Sequence, residues 1–256
     1  AYLIDPAQSK VHRKSAPNTD AGHRQLLGWA QRHTGAEAGE LHFVLEATGV
    51  YHEAVAEALY SAGARVSVVN PADVHHFARS QAVVSKSDGH DARLLALFGY
   101  ERRPAAWQPP PAELKELRAL LKRLEAVEAD LQRERNRREK AQAQSDTTVL
   151  DSIDTLIEAL QAEYQRLRQR IDAHIDRHPR LRSDLQLLES IPGIGDKLAR
   201  RLLALMHTYR FQRASQMAAY LGLVPQIHQS GKIQRPARLS KRGDAQLRAL
   251  LYFPAI

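Results

Sequence analysis

Pro104, Pro109, Pro110 and Pro111 crowd together around Trp107. A proline ring fixes φ and removes a backbone donor, so neither a helix interior nor a central strand tolerates that density. Whatever fold precedes residue 104 must close before another opens after residue 111. The segment 104–111 therefore reads as a Pro-rich linker or a domain edge. The sequence on its two sides is written in different patterns.

Residues 1–103 alternate strand-like and helix-like stretches. Tyr2-Leu3-Ile4 is a strand candidate with a turn signal, Asp5-Pro6, behind it. Asn18-Thr19-Asp20 precedes an amphipathic helix carrying Leu26, Leu27 and Trp29. Leu41-His42-Phe43-Val44-Leu45 is a second strand with Glu46 at its C-terminal end, and a helix follows (Tyr51, Val55, Leu59). Ala64–Val69 is a third strand, closed by Asn70-Pro71. Such alternation predicts an α/β unit with parallel neighbours and covering helices. Ligands of such sheets sit at the C-terminal ends of the strands, the position Glu46 occupies.

Residues 112–178 are charged and helical. Leu114, Leu117, Leu121, Leu124 and Leu131 keep 3-4 spacing. After a polar break at Ser145–Thr148 it resumes with Ile153, Ile157, Leu160, Tyr164, Leu167 and Ile171. This predicts either an antiparallel hairpin or a coiled coil between subunits. The run Arg133–Arg138 is a solvated helix face or a phosphate contact. Residues 181–256 form a different helical unit, in which Ile191-Pro192-Gly193-Ile194-Gly195 separates two short apolar helices. A glycine turn at a helix N-terminus can offer N–H groups to a phosphate, which makes Gly193, Gly195 and the adjoining Lys197 candidate nucleic-acid contacts. It is equally an ordinary helix connection.

Charge narrows the partner. Among 256 residues, 37 Lys and Arg face 29 Asp and Glu, a formal +8. That excess suits a polyanion, nucleic acid before membrane. The absence of cysteine excludes disulfides, thiolate catalysis and Cys-type zinc sites, and fits a reducing cytoplasm. No signal peptide and no bilayer-length apolar run is visible. Both ends look cut: Ala1 begins inside a strand-like run, and Leu250–Ile256 stops without a polar tail.

Two clusters carry candidate chemistry. Within Ser85-Lys86-Ser87-Asp88-Gly89-His90-Asp91-Ala92-Arg93, Asp88 and Asp91 share one helix face. Paired carboxylates repel unless a cation lies between them or one is protonated, and Mg²⁺ favours such oxygen ligands. The same stretch also reads as a helix start with acids near the positive dipole end. In the rear half, Gln229-Ser230-Gly231-Lys232 leads into Arg235, Arg238, Lys241, Arg242 and Arg248. Between 228 and 248 six Lys or Arg accompany one acid, Asp244. A Ser-Gly loop alone is commonly a turn. Followed by clustered cations, it can also hold a phosphodiester while a hydroxyl attacks. His75, His76 and His90 lack the spacing of a metal site, and Trp29 and Trp107 read as packing residues.

In order along the chain, Leu45-Glu46-Ala47-Thr48-Gly49-Val50-Tyr51, Val68-Val69-Asn70-Pro71, Lys86–Arg93, Ser190–Gly195, Ala219–Pro225, Ser230-Gly231 and Leu239-Ser240-Lys241-Arg242-Gly243 with Leu247-Arg248 resemble the transposases of the insertion sequence 110 family, the DEDD recombinases guided by a bridge RNA. The resemblance implies a RuvC-like (RNase H-fold) α/β domain over 1–103 lacking its first strand, the linker, a coiled-coil segment over 112–178, and an all-α C-terminal transposase domain over 181–256 with a helix-hairpin-helix-like motif. It puts the family's Glu on Glu46 and its later Asp pair on Asp88 and Asp91. The first Asp falls on a strand before Ala1, and Asp5 is not its equivalent. The serine nucleophile falls on Ser230.

It further implies Mg²⁺ or Mn²⁺ held by the carboxylates and a covalent serine–DNA ester. Lys232, Arg235, Arg238, Lys241, Arg242 and Arg248 would grip the DNA backbone. The implied partners are double-stranded donor and target DNA, a bridge guide RNA and further copies of the chain, as a dimer and a synaptic tetramer, in the bacterial cytoplasm at the nucleoid. Two other readings fit the same residues: a hydrolytic RuvC-like nuclease or resolvase, and a non-catalytic nucleic-acid-binding protein.

Overall fold

The computed structural model describes every residue except 6–9, 48, 50, 82–87, 210, 231–232, 242, 253 and 255–256; the side chains of 5, 10, 88, 228, 230 and 233–235 also lie outside the description. Two compact units divide the chain, Ala1–Pro109 and Pro110–Ile256.

In the first unit, β1 (Tyr2–Asp5) pairs antiparallel with β2 (Lys10–Arg13), Tyr2 opposite Arg13. The second of these strands is a finding, because Lys10-Val11-His12-Arg13 is too polar to stand out as one. Helix α1 (Asp20–Thr34) starts where Thr19 Oγ1 accepts from Gly22 N at 3.3 Å, and it stops at Gly35, which takes φ 70°. Strands β3 (His42–Glu46) and β4 (Arg65–Val69) pair in parallel, joined through α2 (Tyr51–Ser61), as the alternation of elements predicts. Asn70 caps α3 (Pro71–Ser80) by accepting from Ala72 N at 2.9 Å, and Pro71 takes the first turn, where no donor is needed.

Helix α4 (Asp88–Arg102) packs on both β1 and β3. Gly99 permits this approach, since a Cβ there would lie 2.4 Å from Val44 Cγ2. A cavity of about 940 Å³ is walled by β1 (Tyr2, Leu3, Ile4), β3 (His42, Val44, Glu46) and α4 (Leu95, Gly99).

The proline segment turns out to be a strap. Trp107 N donates to Val66 O at 2.7 Å, and Ser67 Oγ donates to Ala105 O at 2.8 Å and Pro104 O at 3.1 Å. The Trp107 ring meets Tyr60 edge-on at 6.1 Å and packs beside Leu59 and Val66. Backbone that cannot enter a ladder as a regular strand is here laid against the edge of one.

The second unit is built on α5 (Ala112–Ala143) and α6 (Leu150–Asp176). Of the two arrangements open to their spacing, the chain adopts an antiparallel hairpin: Arg138 pairs with Asp154, Arg170 with Glu116, and His174 Nε2 lies 2.8 Å from Glu113 O. Leu114, Leu117, Leu121 and Val127 meet Leu167, Ile171 and Ile175 in the seam. Helices α7 (Pro179–Glu189) and α8 (Asp196–Tyr209) extend the same core through Leu181, Leu188, Leu198, Leu202 and Leu203.

The expectation of an all-α C-terminal domain is overturned. After α9 (Ala214–Tyr220), strands β5 (Pro225–Ser230) and β6 (Ile233–Leu239) form an antiparallel ladder with a register shift between Gln226 and His228. They precede α10 (Ala245–Leu250). The strand signal is weak because β5 carries one large apolar residue, Ile227, and β6 contains Pro236.

Candidate functional site

The candidate residues fall in both units. In the first, Glu46 is the last residue of β3, opposite Val69, and its partly exposed side chain lines the cavity. Ala92 and Leu95 of α4 line the same cavity. Helical spacing sets positions 88 and 91 one turn ahead of those two residues. Asp91 is partly buried; Asp88 opens α4, and its side chain lies outside the described residues, as do all atoms of Ser85, Lys86 and Ser87. Among the described residues, no three His, Cys, Asp or Glu side chains gather to hold a metal. The two described carboxylates nonetheless fit a hard divalent cation in kind, being oxygen donors.

The opposite end of β3 is built differently. His42 Nε2 lies 2.8 Å from Ser67 Oγ, and burial, then the Arg65 guanidinium, lowers the imidazole pKa. This contact fastens β3 to β4 at the strap rather than serving the carboxylate end.

In the second unit, Ser230 ends β5, opposite Ile233, so it sits at a strand end and not in a loop as expected. Its hydroxyl and the Arg235 side chain lie outside the described residues, together with Gly231, Lys232 and Arg242. Arg238 stands opposite Gln226 and is exposed, as is Lys241, which takes φ 54°. Arg248 reaches inward: one guanidinium nitrogen donates to Leu221 O and to Gly243 O, both at 3.1 Å.

The glycine turn at the start of α8 is more enclosed than its sequence suggests. Gly193 has φ 85°, and a Cβ there would lie 3.0 Å from Pro254 Cα; a Cβ on Gly195 would meet open space. Lys197 Nζ sits 2.6 and 2.7 Å from the two Glu128 carboxylate oxygens. Arg168 holds Asp196 at 2.6 Å, while Arg200 lies between Asp172 and Asp196. The cations at this helix start are therefore matched by carboxylates of the same unit. In the Arg133–Arg138 run, Arg133 pairs with Asp130, Arg137 with Glu134 and Arg138 with Asp154.

Sequence reasoning passed over Arg201. Its side chain is only 10% exposed, with Glu125 of α5 at 2.8 Å and Asp244, the residue capping α10, at 3.4 Å. No periodicity marks such a residue, because a buried arginine in an amphipathic helix looks like its solvated neighbours.

Two family descriptions match the chain. One, a DEDD transposase of the IS110 type, covers residues 1–145, and the other, "Transposase IS116/IS110/IS902 family", covers residues 185–256. The chain is 35% identical over 241 residues to a pilin gene-inverting protein of Moraxella bovis, covering 93% of this chain and 73% of that protein. A pilin gene-inverting protein of Moraxella lacunata is 34% identical over the same shares. The transposase for insertion sequence element IS1111A of Coxiella burnetii is 41% identical over 69 residues, 27% of this chain and 19% of that protein.

Proposed function

This chain belongs to the IS116/IS110/IS902 family of transposases, and we propose that this DNA recombinase cuts and rejoins its substrate through a covalent ester at Ser230. Ser230 Oγ attacks a backbone phosphorus, the phosphodiester bond to the departing strand breaks, and the serine proton leaves to solvent or a nearby base. The ester conserves the bond energy, and the hydroxyl of a second strand later displaces the serine. Arg238 and Lys241, with Lys232, Arg235 and Arg242, neutralise backbone phosphates. Gly193 and Gly195 offer a further phosphate contact, with Lys197 drawn from Glu128 when DNA arrives.

Glu46, Asp88 and Asp91 would hold Mg²⁺ or Mn²⁺, which supplies positive charge against the developing phosphorane. The chain's own part is to fix these oxygens: Glu46 through the β3–β4 ladder, the two Asp positions through the first turn of α4.

A bridge RNA pairs with donor and target DNA in this reading and carries the choice of sequence, while the protein holds the backbone. Two or more copies of the chain combine the carboxylates of one with the serine of another. No described helix is long and apolar enough to cross a membrane, and the excess of 37 Lys and Arg over 29 Asp and Glu suits a nucleic-acid partner at the nucleoid.

What carries this reading is the pairing, in one chain, of a strand-end carboxylate on a cavity wall with a strand-end serine on a basic β-ladder. The test is incubation of the recombinase with the element's flanking noncoding RNA, donor DNA and Mg²⁺, followed by denaturing electrophoresis. The expected result is a protein–DNA adduct that Ser230→Ala abolishes. Cleavage that survives Ser230→Ala with no adduct in the parent assigns hydrolysis by water instead.

A further inference from the structure

The β5–β6 pair needs external support. A two-stranded ladder is marginal in water by itself, and here Ile227 and Leu239 are 65% and 49% exposed. Among the described residues no third strand joins it. Its placement therefore depends on its two roots. One root is Leu221–Val224; the other is Ser240–Gly243. Ser240 N donates to Val224 O at 3.0 Å, and Lys241 N donates to Gly222 O at 3.2 Å. Gly243, at φ 76°, lies so close that a Cβ would be 2.2 Å from Tyr220 O.

Two arginines complete this junction. Arg248 bridges both roots with one guanidinium nitrogen, donating to Leu221 O in the first and Gly243 O in the second. Arg201 ties Asp244, the residue that follows the second root, to the helical frame. It joins Glu125 of α5 to Asp244, whose carboxylate also accepts from Gln246 N at 2.8 Å and Leu247 N at 3.0 Å. Leu221 and Leu247, beside these contacts, are 1% and 3% exposed and belong to the large core of the unit.

We propose that Arg248 and Arg201 are positioning residues that lock the roots of the β5–β6 ladder to the helical core and so fix where Ser230 is presented. This assigns Arg248 to the protein's own carbonyls and not to DNA phosphate. It rests on the serine reading above for its catalytic consequence, though not for its structural one. Carbonyl oxygens suit the role: an arginine that donates to two of them holds two backbone segments at once, and a point-charge lysine does this less well.

The experiment uses Arg248→Met, Arg248→Lys, Arg201→Met and Asp244→Asn. Asparagine keeps the cap of α10 while removing the ionic partner of Arg201, so this variant tests the tie without unfolding the helix. Three quantities are read: affinity for a labelled duplex of arbitrary sequence across a salt series, the rate of Ser230–DNA adduct formation with the element's own RNA and DNA, and exchange of the Ser240 and Lys241 amides, which are bonded to Val224 O and Gly222 O, in the 256-residue chain.

The methionine variants are expected to leave affinity and its salt slope unchanged, slow the adduct about tenfold or more, and speed exchange at the two root amides by about tenfold, with α5 and α6 still protected. Arg248→Lys is expected to recover part of both losses, and Asp244→Asn to show a smaller effect of the same sign. A fall of about one in the salt slope for Arg248→Met would make it a phosphate ligand and overturn the assignment. Unchanged exchange would also overturn it, whatever the adduct does. If Ser230→Ala still cleaves, the serine reading fails alone, since the exchange measurement decides the lock without it.

Discussion

The two units keep their stability in different ways. Residues 110–256 share one contiguous core running from Leu114 and Leu117 through Ile171 and Leu203 to Leu221 and Leu247. Among the described residues, those of 1–109 divide theirs among small clusters, around Leu59 and Val66, around Val74 and Phe77, and around Trp29 and Ala30. Apolar contacts shared in a single seam reinforce one another, whereas small clusters leave each wall dependent on few neighbours. The candidate carboxylates sit in the unit whose core is divided, and the candidate serine on a ladder hung from the unit whose core is shared. The lesson is a difference in support: the helical seam carries its candidate serine on a ladder anchored to one core, while the α/β unit carries its candidate carboxylates on a strand end and a helix start held by separate clusters.

That difference is broken most severely by asking each unit to fail separately. Glu46→Gln keeps the strand and its volume but removes a negative charge. DNA cleavage should fall by roughly 10²–10³-fold, the scale on which a lost electrostatic group acts in a site, with circular dichroism and melting unchanged. Near-parental cleavage by this variant would remove Glu46 from the chemistry. Leu117→Ala should do the reverse. The side chain is 0% exposed at the centre of the seam, so its truncation should destabilise the second unit by about 2–5 kcal/mol while protease protection of residues 1–109 stays at the parental level. Equal loss of protection in both units would mean they unfold as one block and would end the comparison.

Much of this contrast is legible in the sequence. The proline cluster, the parallel β3 and β4, the two heptad-type helices and the placing of Glu46 at a strand end follow from period and turn chemistry. Those signals are local, and the structure obeys them because nothing tertiary competes. The failures are also physical. Lys10–Arg13 and Pro225–Ser230 become strands through pairing with a neighbour, which no single segment announces. The strap role of 104–107 depends on the Ser67 hydroxyl and the Val66 carbonyl, about forty residues earlier. Lys197 and Arg248 read as free cations because a sequence shows charge without showing its partner. Their ties to Glu128 and to backbone carbonyls appear only when α5, α8 and α10 are packed.

A smaller effect probes the wall shared by α4 and β3. Alanine at position 99 would place a methyl 2.4 Å from Val44 Cγ2. Overpacking of this kind costs about 1–3 kcal/mol, while replacing a helical glycine returns about 1 kcal/mol. Overlap wins, so Gly99→Ala should lower the stability of the first unit by up to about 2 kcal/mol in urea denaturation. A double variant with Val44→Ala should restore most of it. If Gly99→Ala is stabilising, the wall is looser than the contact implies, and the first unit has room it is not using.

The smallest expected effect lies at the strap, and its sign follows from His42. The unfolded chain takes up a proton there near the ordinary value of 6.5, whereas the folded protein does so only at lower pH because burial and Arg65 oppose the charge. Between those two values the unfolded state binds more protons, so stability rises with pH. Above about 6.5 the two states bind alike and this contribution vanishes. The first unit should therefore lose stability as pH falls below about 6.5, and the loss should level off once the folded imidazole is also charged. His42→Gln keeps a polar partner for Ser67 Oγ and removes the titration. The difference between parent and variant urea midpoints, followed from about pH 8 to about pH 5, isolates this one group from the other histidines. A constant difference across that range would show that His42 is as easily protonated in the fold as outside it. The strap would then be held by Trp107 N and Ser67 Oγ without help from a neutral imidazole.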